Sequence, residues 1–334
     1  PSDFTAGVEF NQDKLEDNMW GYNRTVDQKV NIGSAFLQNE WKNEHWGFLI
    51  GGRFDKHNLI GHLIFSPRAN LRFNPTKDIN LRLSYSSGFR APQAFDEDLH
   101  VENVGGNVAM VELADNLKEE RSQSLSASAD VYHRFGAFQV NFLVEGFYTK
   151  LSDVFALTDG EVVDGILTRT RYNAPGARVM GFTLEGKMAY LSKFQIQAGV
   201  TLQQSHYSEP HEWNPDAPAV KKMMRTPNTY GYFTATYTPV KPLSIALSGT
   251  YTGSMLVPHE PVPGFLEKPI TVNTKDFFDI GLKAAYDFKL YKSMNLQVNA
   301  GVQNIFNAYQ NDFDKGADRD SGYIYGPSLP RSFF

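Results

Sequence analysis

The chain has 334 residues, a net charge of −5 and a hydrophobic fraction of 41%, enough for one large domain or two smaller ones. Cysteine is absent, which excludes disulfides, zinc fingers and thiol catalysis. The slightly acidic balance gives no reason to expect nucleic acid as a partner. No apolar run approaches the roughly 20 residues that a membrane-spanning helix needs.

Apolar and polar residues alternate along much of the chain, which predicts strands. The first clear segment is Ile79–Ser86, and the same period returns at 124–131, 195–203, 282–288 and 296–303. Side chains on a strand point alternately to opposite faces, so each segment has one apolar and one polar face. We expect about fourteen such segments, many of them about ten residues long, which is the length of a tilted membrane strand.

The connections between these strands are alternately short and long. The short ones are Asn43–His45, Asn74–Asp78, Phe135–Phe138, Leu191–Lys193, Pro239–Pro242 and Leu290–Ser293. The long ones are Asn11–Asp27, Arg90–Glu119, Asp153–Gly165, Ser208–Arg225, Met255–Thr274 and Phe306–Gly322, with a modest one near Lys56–Gly61. Outer-membrane barrels have short periplasmic turns and longer external loops, whereas a soluble sandwich has no reason for this asymmetry. The predicted fold is therefore an all-β, antiparallel transmembrane β-barrel.

Aromatic residues flank the predicted short turns. The pairs are Trp41 and Trp46, Phe135 and Phe138, Tyr190 and Phe194, and Phe288 and Tyr291. Such rings suit the boundary between lipid and water, where barrels carry aromatic girdles. Bulky aromatics also close hairpins in soluble β proteins, so this interpretation depends on the loop asymmetry.

Several short motifs resemble signatures of TonB-dependent outer-membrane receptors, in the order of that family. They are Phe36–Trp41, Gly51–Asp55, Ser66–Arg68, Gly88–Pro92, Val302–Asn307, Tyr325–Pro327 and Pro330–Phe334. The segment Gly-Phe-Arg-Ala-Pro at Gly88–Pro92 is the most specific match. Each motif alone is modest, but their joint occurrence over nearly the whole chain is hard to obtain by chance.

The resemblance implies a barrel of 22 strands that encloses an N-terminal plug, preceded by a segment that contacts TonB. About fourteen strands cannot form that whole barrel. We therefore expect residues 1–334 to be the C-terminal portion of the barrel domain, with the plug and the TonB-contacting region absent from this chain. Only three residues of the last strand follow Arg331, so Phe334 is either a natural end or a cut within that strand.

The function implied by the resemblance is active import of a scarce, bulky metal chelate, either a ferric siderophore or a cobalamin. The implied partners are outer-membrane lipid, the plug, TonB and the chelate itself, and the family leaves room for a surface lipoprotein. A passive porin-like or structural barrel is the alternative function. A secreted soluble β protein that binds carbohydrate is a third hypothesis. Neither a Gly-x-Ser-x-Gly elbow nor a His-Glu-x-x-His helix is present, and we expect no enzyme.

Candidate ligand-binding residues lie in the predicted external loops. By the resemblance, Arg90, Gln93 and Phe95 are candidates for the ligand mouth, although Arg90 fits equally well as a structural bridge to a lumenal carboxylate of the neighbouring strand. His206 and His211 lie in one long loop with two methionines and could bind a soft metal. Histidine is also an ordinary loop residue, which is the simpler interpretation.

Alternate carboxylates at Asp312, Asp314, Asp318 and Asp320 surround a glycine, Gly316, and suggest a calcium loop. Calcium takes 6–8 oxygen ligands, often from alternate positions of one loop. The segment lacks the bidentate glutamate of an EF-hand and has basic residues among its acids. A solvated acidic loop is the competing interpretation.

Overall fold

The computed structural model describes residues 1–22, 24–92, 108–163, 166–291, 293–327 and 329–334. In chain order, the described strands are β1 (Ser2–Met19), β2 (Arg24–Lys42), β3 (Trp46–His57), β4 (Ile64–Thr76), β5 (Ile79–Arg90), β6 (Val108–Leu113), β7 (Glu120–Phe135), β8 (Phe138–Ser152), β9 (Val154–Val163), β10 (Ile166–Ala174), β11 (Ala177–Tyr190), β12 (Phe194–His211), β13 (Val220–Lys222), β14 (Thr229–Val240), β15 (Leu243–Thr252), β16 (Leu256–His259), β17 (Ile270–Asn273), β18 (Phe277–Tyr291), β19 (Met294–Gln303) and β20 (Ser332–Phe333). A single 3-10 turn, Trp20–Tyr22, accompanies them in the described ranges. None of the helical structure described is long and apolar enough to cross a membrane.

One antiparallel sheet of fifteen strands dominates the fold. Fourteen of them follow the order β1-β2-β3-β4-β5-β7-β8-β11-β12-β14-β15-β18-β19-β20, while β13 pairs only with β12. Each long strand thus pairs with the next long strand along the chain. The predicted antiparallel barrel of about fourteen strands is confirmed. Among the described strands β1 and β20 are not neighbours, so the sheet is an open portion of a barrel.

The strand register keeps apolar side chains on one face, called here the outward face. One row of paired residues across β4, β5, β7, β8, β11 and β12 consists of Leu71, Leu83, Ala127, Gly146, Phe182 and Leu202. Large side chains on this face are exposed, with Leu125 at 48% and Phe142 at 51%. A continuous apolar surface of this extent requires a nonpolar environment, and lipid supplies one.

The opposite, inward face is polar. Near the start of the sheet, Arg53 donates hydrogen bonds to Glu9 at 3.0 Å, to Asp55 at 2.8 Å and to Ser34 at 2.8 Å. On β11, Glu185 forms an ion pair with Lys187 at 2.9 Å. This alternation explains how a chain with a mean hydropathy of −0.39 can present an apolar band on its exterior.

Aromatic rings line the end of the sheet that carries the short turns. Trp41 stacks on Phe48 with 5.7 Å between ring centroids, and Trp46 stacks on Phe73 at 4.2 Å. In the next turns, Phe135 contacts Phe138 at 5.4 Å, and Phe138 contacts Tyr190 at 4.7 Å. These rings lie on the outward face, where the sequence pattern placed a girdle.

The other end of the sheet, called here the external end, carries the long connections. Two of them contribute the small sheet β6-β10-β9, and another forms the hairpin β16–β17. The predicted loop Asn11–Asp27 is wrong for most of its length, because β1 and β2 stay paired as far as Met19 and Arg24. The outward residues of that extension are polar, among them Gln12, Lys14 and Glu16, and its sequence therefore lacks the outward apolar positions that mark the other strands.

Candidate ligand-binding mouth at the external end

Arg90 ends β5 on the inward face, directly opposite Glu120, the first residue of β7. The alternation of β5 places Arg90 on the same side as Ser84 and Ser86, which line the lumen. The structure therefore brings a cation and a carboxylate together at the rim of the barrel. This position is compatible with both predicted roles of Arg90, ligand contact and structural bridge.

A ring from the next external loop completes this site. The guanidinium carbon of Arg90 lies 5.6 Å from the ring centroid of Phe155, and that of Arg171 lies 5.5 Å from the same centroid. The backbone N–H of Phe155 donates to the Glu120 carboxylate at 3.0 Å. Arg90 is exposed, whereas Arg171 is buried at 5% exposure. Two guanidinium groups thus converge on one aromatic ring, in the geometry of cation–π contacts. We call these four residues the mouth cluster.

Pairing between two external loops positions the mouth cluster. Strand β6, from the loop after β5, pairs in parallel with β10, from the loop after β8, and Leu113 aligns with Arg171. The Asn173 amide donates to the backbone carbonyls of Lys118 at 3.1 Å and Asp153 at 2.8 Å. These bonds tie the two loops together, so that Phe155 and Arg171 are held over the end of β5.

A second group of residues holds the last two external connections together; we call it the tyrosine latch. Asp312 accepts hydrogen bonds from the hydroxyls of Tyr323 at 3.0 Å and Tyr325 at 2.6 Å. The His259 ring stacks on Tyr323 with centroids 3.8 Å apart, and its Nε2 lies 2.9 Å from the Asp314 carboxylate. Both tyrosines are buried against an apolar cluster that includes Val257 and Phe277.

Contacts within the latch shift the pKa values of Asp312 and Tyr325. Burial raises the pKa of Asp312, but the hydrogen bonds from Tyr325 and Tyr323 outweigh that effect, and the net result is a pKa below the ordinary 3.8. Burial and the bond to Asp312 both raise the pKa of Tyr325. A carboxylate that accepts hydrogen bonds from two tyrosine hydroxyls is therefore the charged centre of this contact.

Three of the four residues of the predicted calcium loop accept protein hydrogen bonds. Besides the bonds of Asp312 and Asp314, the Asp320 carboxylate accepts the backbone N–H groups of Glu260 at 2.8 Å and Gly322 at 2.8 Å. Asp318 is exposed. Within the described ranges, no three or more His, Asp or Glu side chains are grouped so as to hold a metal ion. Calcium binding stays a prediction, which calorimetry with the intact protein tests directly.

The two histidines of the predicted soft-metal site are not brought together. His206 aligns with Arg178 and Lys222 on the outward face of β12. His211 instead contacts the ring of Tyr207, on the inward side, at 4.7 Å between centroids. Gln93 and Phe95, the other two predicted mouth residues, lie outside the described residues.

The sequence interpretation missed Glu120, Phe155 and Arg171. No spacing along the chain joins them, because loop pairing between β6 and β10 creates the contact. It also missed the role of Asn304, which lies within a recognised motif. The Asn304 side chain donates to the carbonyls of Ala308 and Leu329 and accepts the N–H of Ala308, all at 2.8–2.9 Å.

Comparison with known proteins gives a family match over most of the chain. Residues 1–305 match the model described as TonB dependent receptor-like, beta-barrel. A search of curated proteins found no match.

Solved structures share the fold at low sequence identity. The chain aligns with the siderophore receptor PirA from Acinetobacter baumannii at a TM-score of 0.66 and 17% identity, covering 100% of this chain and 51% of that one. A mutant of the ferric enterobactin receptor PfeA from Pseudomonas aeruginosa, in complex with enterobactin, gives 0.69 and 18%, covering 99% and 51%. The FrpB iron transporter from Neisseria meningitidis gives 0.67 and 16%, covering 99% and 52%. The chain thus spans about half the length of these proteins.

Proposed function

Because this chain belongs to the family of TonB-dependent receptor β-barrels, we propose that it is part of an active importer of a bulky, anionic metal chelate of the ferric siderophore type. The family is one of the bacterial outer membrane, where lipid covers the outward apolar face. Its members are transport receptors rather than enzymes, which agrees with the expectation of a non-enzymatic role.

The mouth cluster is the observation that carries the proposed ligand class. Two guanidinium groups within 5.6 Å of the Phe155 ring favour a ligand that combines negative charge with a flat unsaturated group. Ferric chelates of the catecholate class have both properties. The iron and siderophore receptors among the similar structures support this class, and a cobalamin-type chelate is the other ligand class that the family implies.

The energy source and the missing parts belong to the same proposal. The open sheet and the coverage of about half of the similar structures support a chain that is the C-terminal portion of a 22-stranded barrel. The intact protein then has a plug in the lumen, and TonB acts on that plug to drive import.

Uptake measurements in cells test this function. Cells that express the intact receptor are given a radiolabelled ferric catecholate chelate or labelled cobalamin, with and without functional TonB. Accumulation of the iron chelate that stops when TonB is removed is the expected result. Uptake that is indifferent to TonB would point to the passive porin-like barrel, and uptake of cobalamin alone would correct the ligand class.

A further inference from the structure

A row of basic side chains crosses the outward face at the external end of the sheet. Lys150 on β8 aligns with Arg178 on β11, Arg178 aligns with His206 on β12, and His206 aligns with Lys222 on β13. Neighbouring strands lie about 4.8 Å apart, so the row covers roughly 14 Å of the barrel surface. We call these four residues the cation row.

The cation row has no acidic partner among the residues that the structure describes. Lys150 and Arg178 are exposed and face each other directly, an arrangement that destabilises a sheet through repulsion of like charges. In the described part of the chain, none of the four side chains forms an ion pair. The outward residues next to the row are uncharged on its own strands: Tyr148 and Ser152 on β8, Met180 on β11, and Gln204 and Ser208 on β12. On the adjacent β7, Gln123 pairs with Lys150, and Arg121 is 2.7 Å from Glu119. An anion from outside the chain would offset this repulsion.

Directly below the cation row, the apolar surface is hollowed into a groove of about 780 Å³. Its floor is formed by two small residues, Ala127 and Gly146, which face each other on β7 and β8. Leu83 flanks the floor on one side and Phe182 on the other. Nothing lies within 4 Å of the position that a Cβ atom of Gly146 would occupy. The groove therefore has room for an alkyl chain lying on the barrel wall.

We propose that the cation row and this groove together form a binding site for a phosphate-bearing lipid of the outer leaflet. The phosphate lies against Lys150, Arg178, His206 and Lys222, and one acyl chain occupies the groove over Gly146. Charge complementarity and position select this occupant, because the row lies at the rim of the apolar band, where headgroups meet acyl chains. Each basic residue near an anionic membrane surface strengthens such binding.

Neutralising the centre of the cation row tests the phosphate contact. The intact receptor is purified in mild detergent and titrated with diphosphoryl lipid A, and bound lipid is counted by native mass spectrometry. The double variant Lys150→Gln with Arg178→Gln is expected to bind this lipid at least about tenfold more weakly. The matched control is Lys14→Gln with Lys29→Gln, another facing pair of outward lysines, which lies on the extended hairpin far from the groove.

Binding that is equal in the double variant and in the control variant would overturn the proposal. So would equal binding of lipid A from which both phosphates have been removed, because the cation row would then contribute nothing. Retention of thermal unfolding behaviour by both variants shows that the loss is not caused by misfolding.

Filling the groove tests the acyl-chain contact separately. Gly146→Phe places a ring in the groove from a Cβ position with nothing within 4 Å, and it is expected to release the lipid. Gly186→Phe is the matched control, since Gly186 also lies on the outward face with nothing within 4 Å, but on a different row nearer the short turns. If Gly146→Phe and Gly186→Phe bind the lipid equally well, the groove is not the acyl site and the proposal fails.

Discussion

Asn304 lies at the end of β19, where its side chain connects three segments of the chain. Its backbone adopts a conformation that most residues avoid. Its φ is +48°, in the left-handed region that asparagine tolerates better than other non-glycine residues. Its side chain is 2% exposed and satisfies the carbonyls of Ala308 and Leu329. Asn307, three residues later, accepts the N–H of Arg331 at 2.9 Å. The motif that marks the penultimate strand therefore fixes the path of the chain into β20.

Two substitutions of Asn304 distinguish the contribution of its hydrogen bonds to stability from the effect of backbone strain. Asn304→Ala removes the donor to the Ala308 and Leu329 carbonyls and adds strain, so we expect a loss of about 3 kcal/mol in the free energy of unfolding. Asn304→Gly loses the same bonds but tolerates the positive φ, so it is expected to be more stable than Asn304→Ala by about 1 kcal/mol. Thermal unfolding of the intact receptor measures both. Equal stability of Asn304→Gly and the unaltered protein would contradict the assigned role.

Arg90 is the exposed cation of the mouth cluster. Substitutions of Arg90 distinguish its two predicted roles, ligand contact and structural bridge. Arg90→Gln removes the charge next to Phe155 and is expected to weaken binding of a ferric catecholate chelate about tenfold or more. Arg90→Lys keeps the charge without the planar fork and is expected to recover part of that affinity. Binding is measured by quenching of intrinsic fluorescence in the intact receptor.

The control for Arg90 is Arg134→Gln, which removes an exposed arginine at the short-turn end of β7. It is expected to leave chelate affinity unchanged. A purely structural Arg90 would show a different pattern, in which Arg90→Gln lowers the unfolding temperature while the remaining folded protein binds normally.

At the scale of elements, the tyrosine latch links the connection after β15 to the connection after β19 and makes their contact sensitive to acid. The folded pKa of Asp312 lies below its unfolded value of 3.8. The stabilisation is therefore present above about pH 4 and is lost as the pH falls through the folded pKa. Asp312 lies in the same connection as Tyr323, and Tyr323 stacks on His259 of the other connection. Release of Tyr323 is therefore expected to separate the two loops in acid before the barrel itself unfolds.

A spin label at Phe313→Cys reports this separation, because the chain has no other cysteine and Phe313 is 46% exposed. Label mobility in the intact receptor is expected to rise steeply below about pH 4. Asp312→Asn removes the titrating group, so its mobility is expected to be high and nearly independent of pH in this range. A label that stays immobile at low pH in the unaltered latch would refute the linkage.

How much of each element could be predicted depends on what lies on its two sides. Strands with lipid outside and water inside alternate strictly between apolar and polar residues. The sequence of segments such as Leu282–Phe288 and Leu296–Val302 therefore predicts a strand. The extension of β1 and β2 beyond Asn11 has polar residues on its outward face and carries no such signal. The mouth cluster could not be predicted, because β6 and β10 pair across a long stretch of chain. The separation of His206 from His211 could have been predicted, because two residues an odd number of positions apart on one strand point to opposite faces.

At the scale of the whole molecule, the sheet carries its apolar face from strand to strand, and among the described strands β1 is paired on one side only. In water, the N–H and C=O groups of a free edge are solvated at little cost. In the hydrocarbon core, each unsatisfied group costs several kcal/mol, which is why only closed barrels span membranes with strands. The cost over the embedded part of β1 exceeds the 5–15 kcal/mol of net stability that is typical of a folded domain.

The isolated 334-residue chain is therefore not expected to form a stable membrane-inserted barrel. Refolded into detergent micelles, it should remain protease-sensitive and migrate on electrophoresis without the shift between heated and unheated samples that folded barrels show. The intact receptor, whose remaining strands close the sheet in the proposed arrangement, should show both the shift and protease resistance under the same conditions. A cooperative unfolding transition and protease resistance in the isolated chain would mean that β1 finds a partner, either β20 of the same chain or β1 of a second copy. Cross-linking between cysteines introduced at Val8 and Phe333 would then identify which edge closes the sheet.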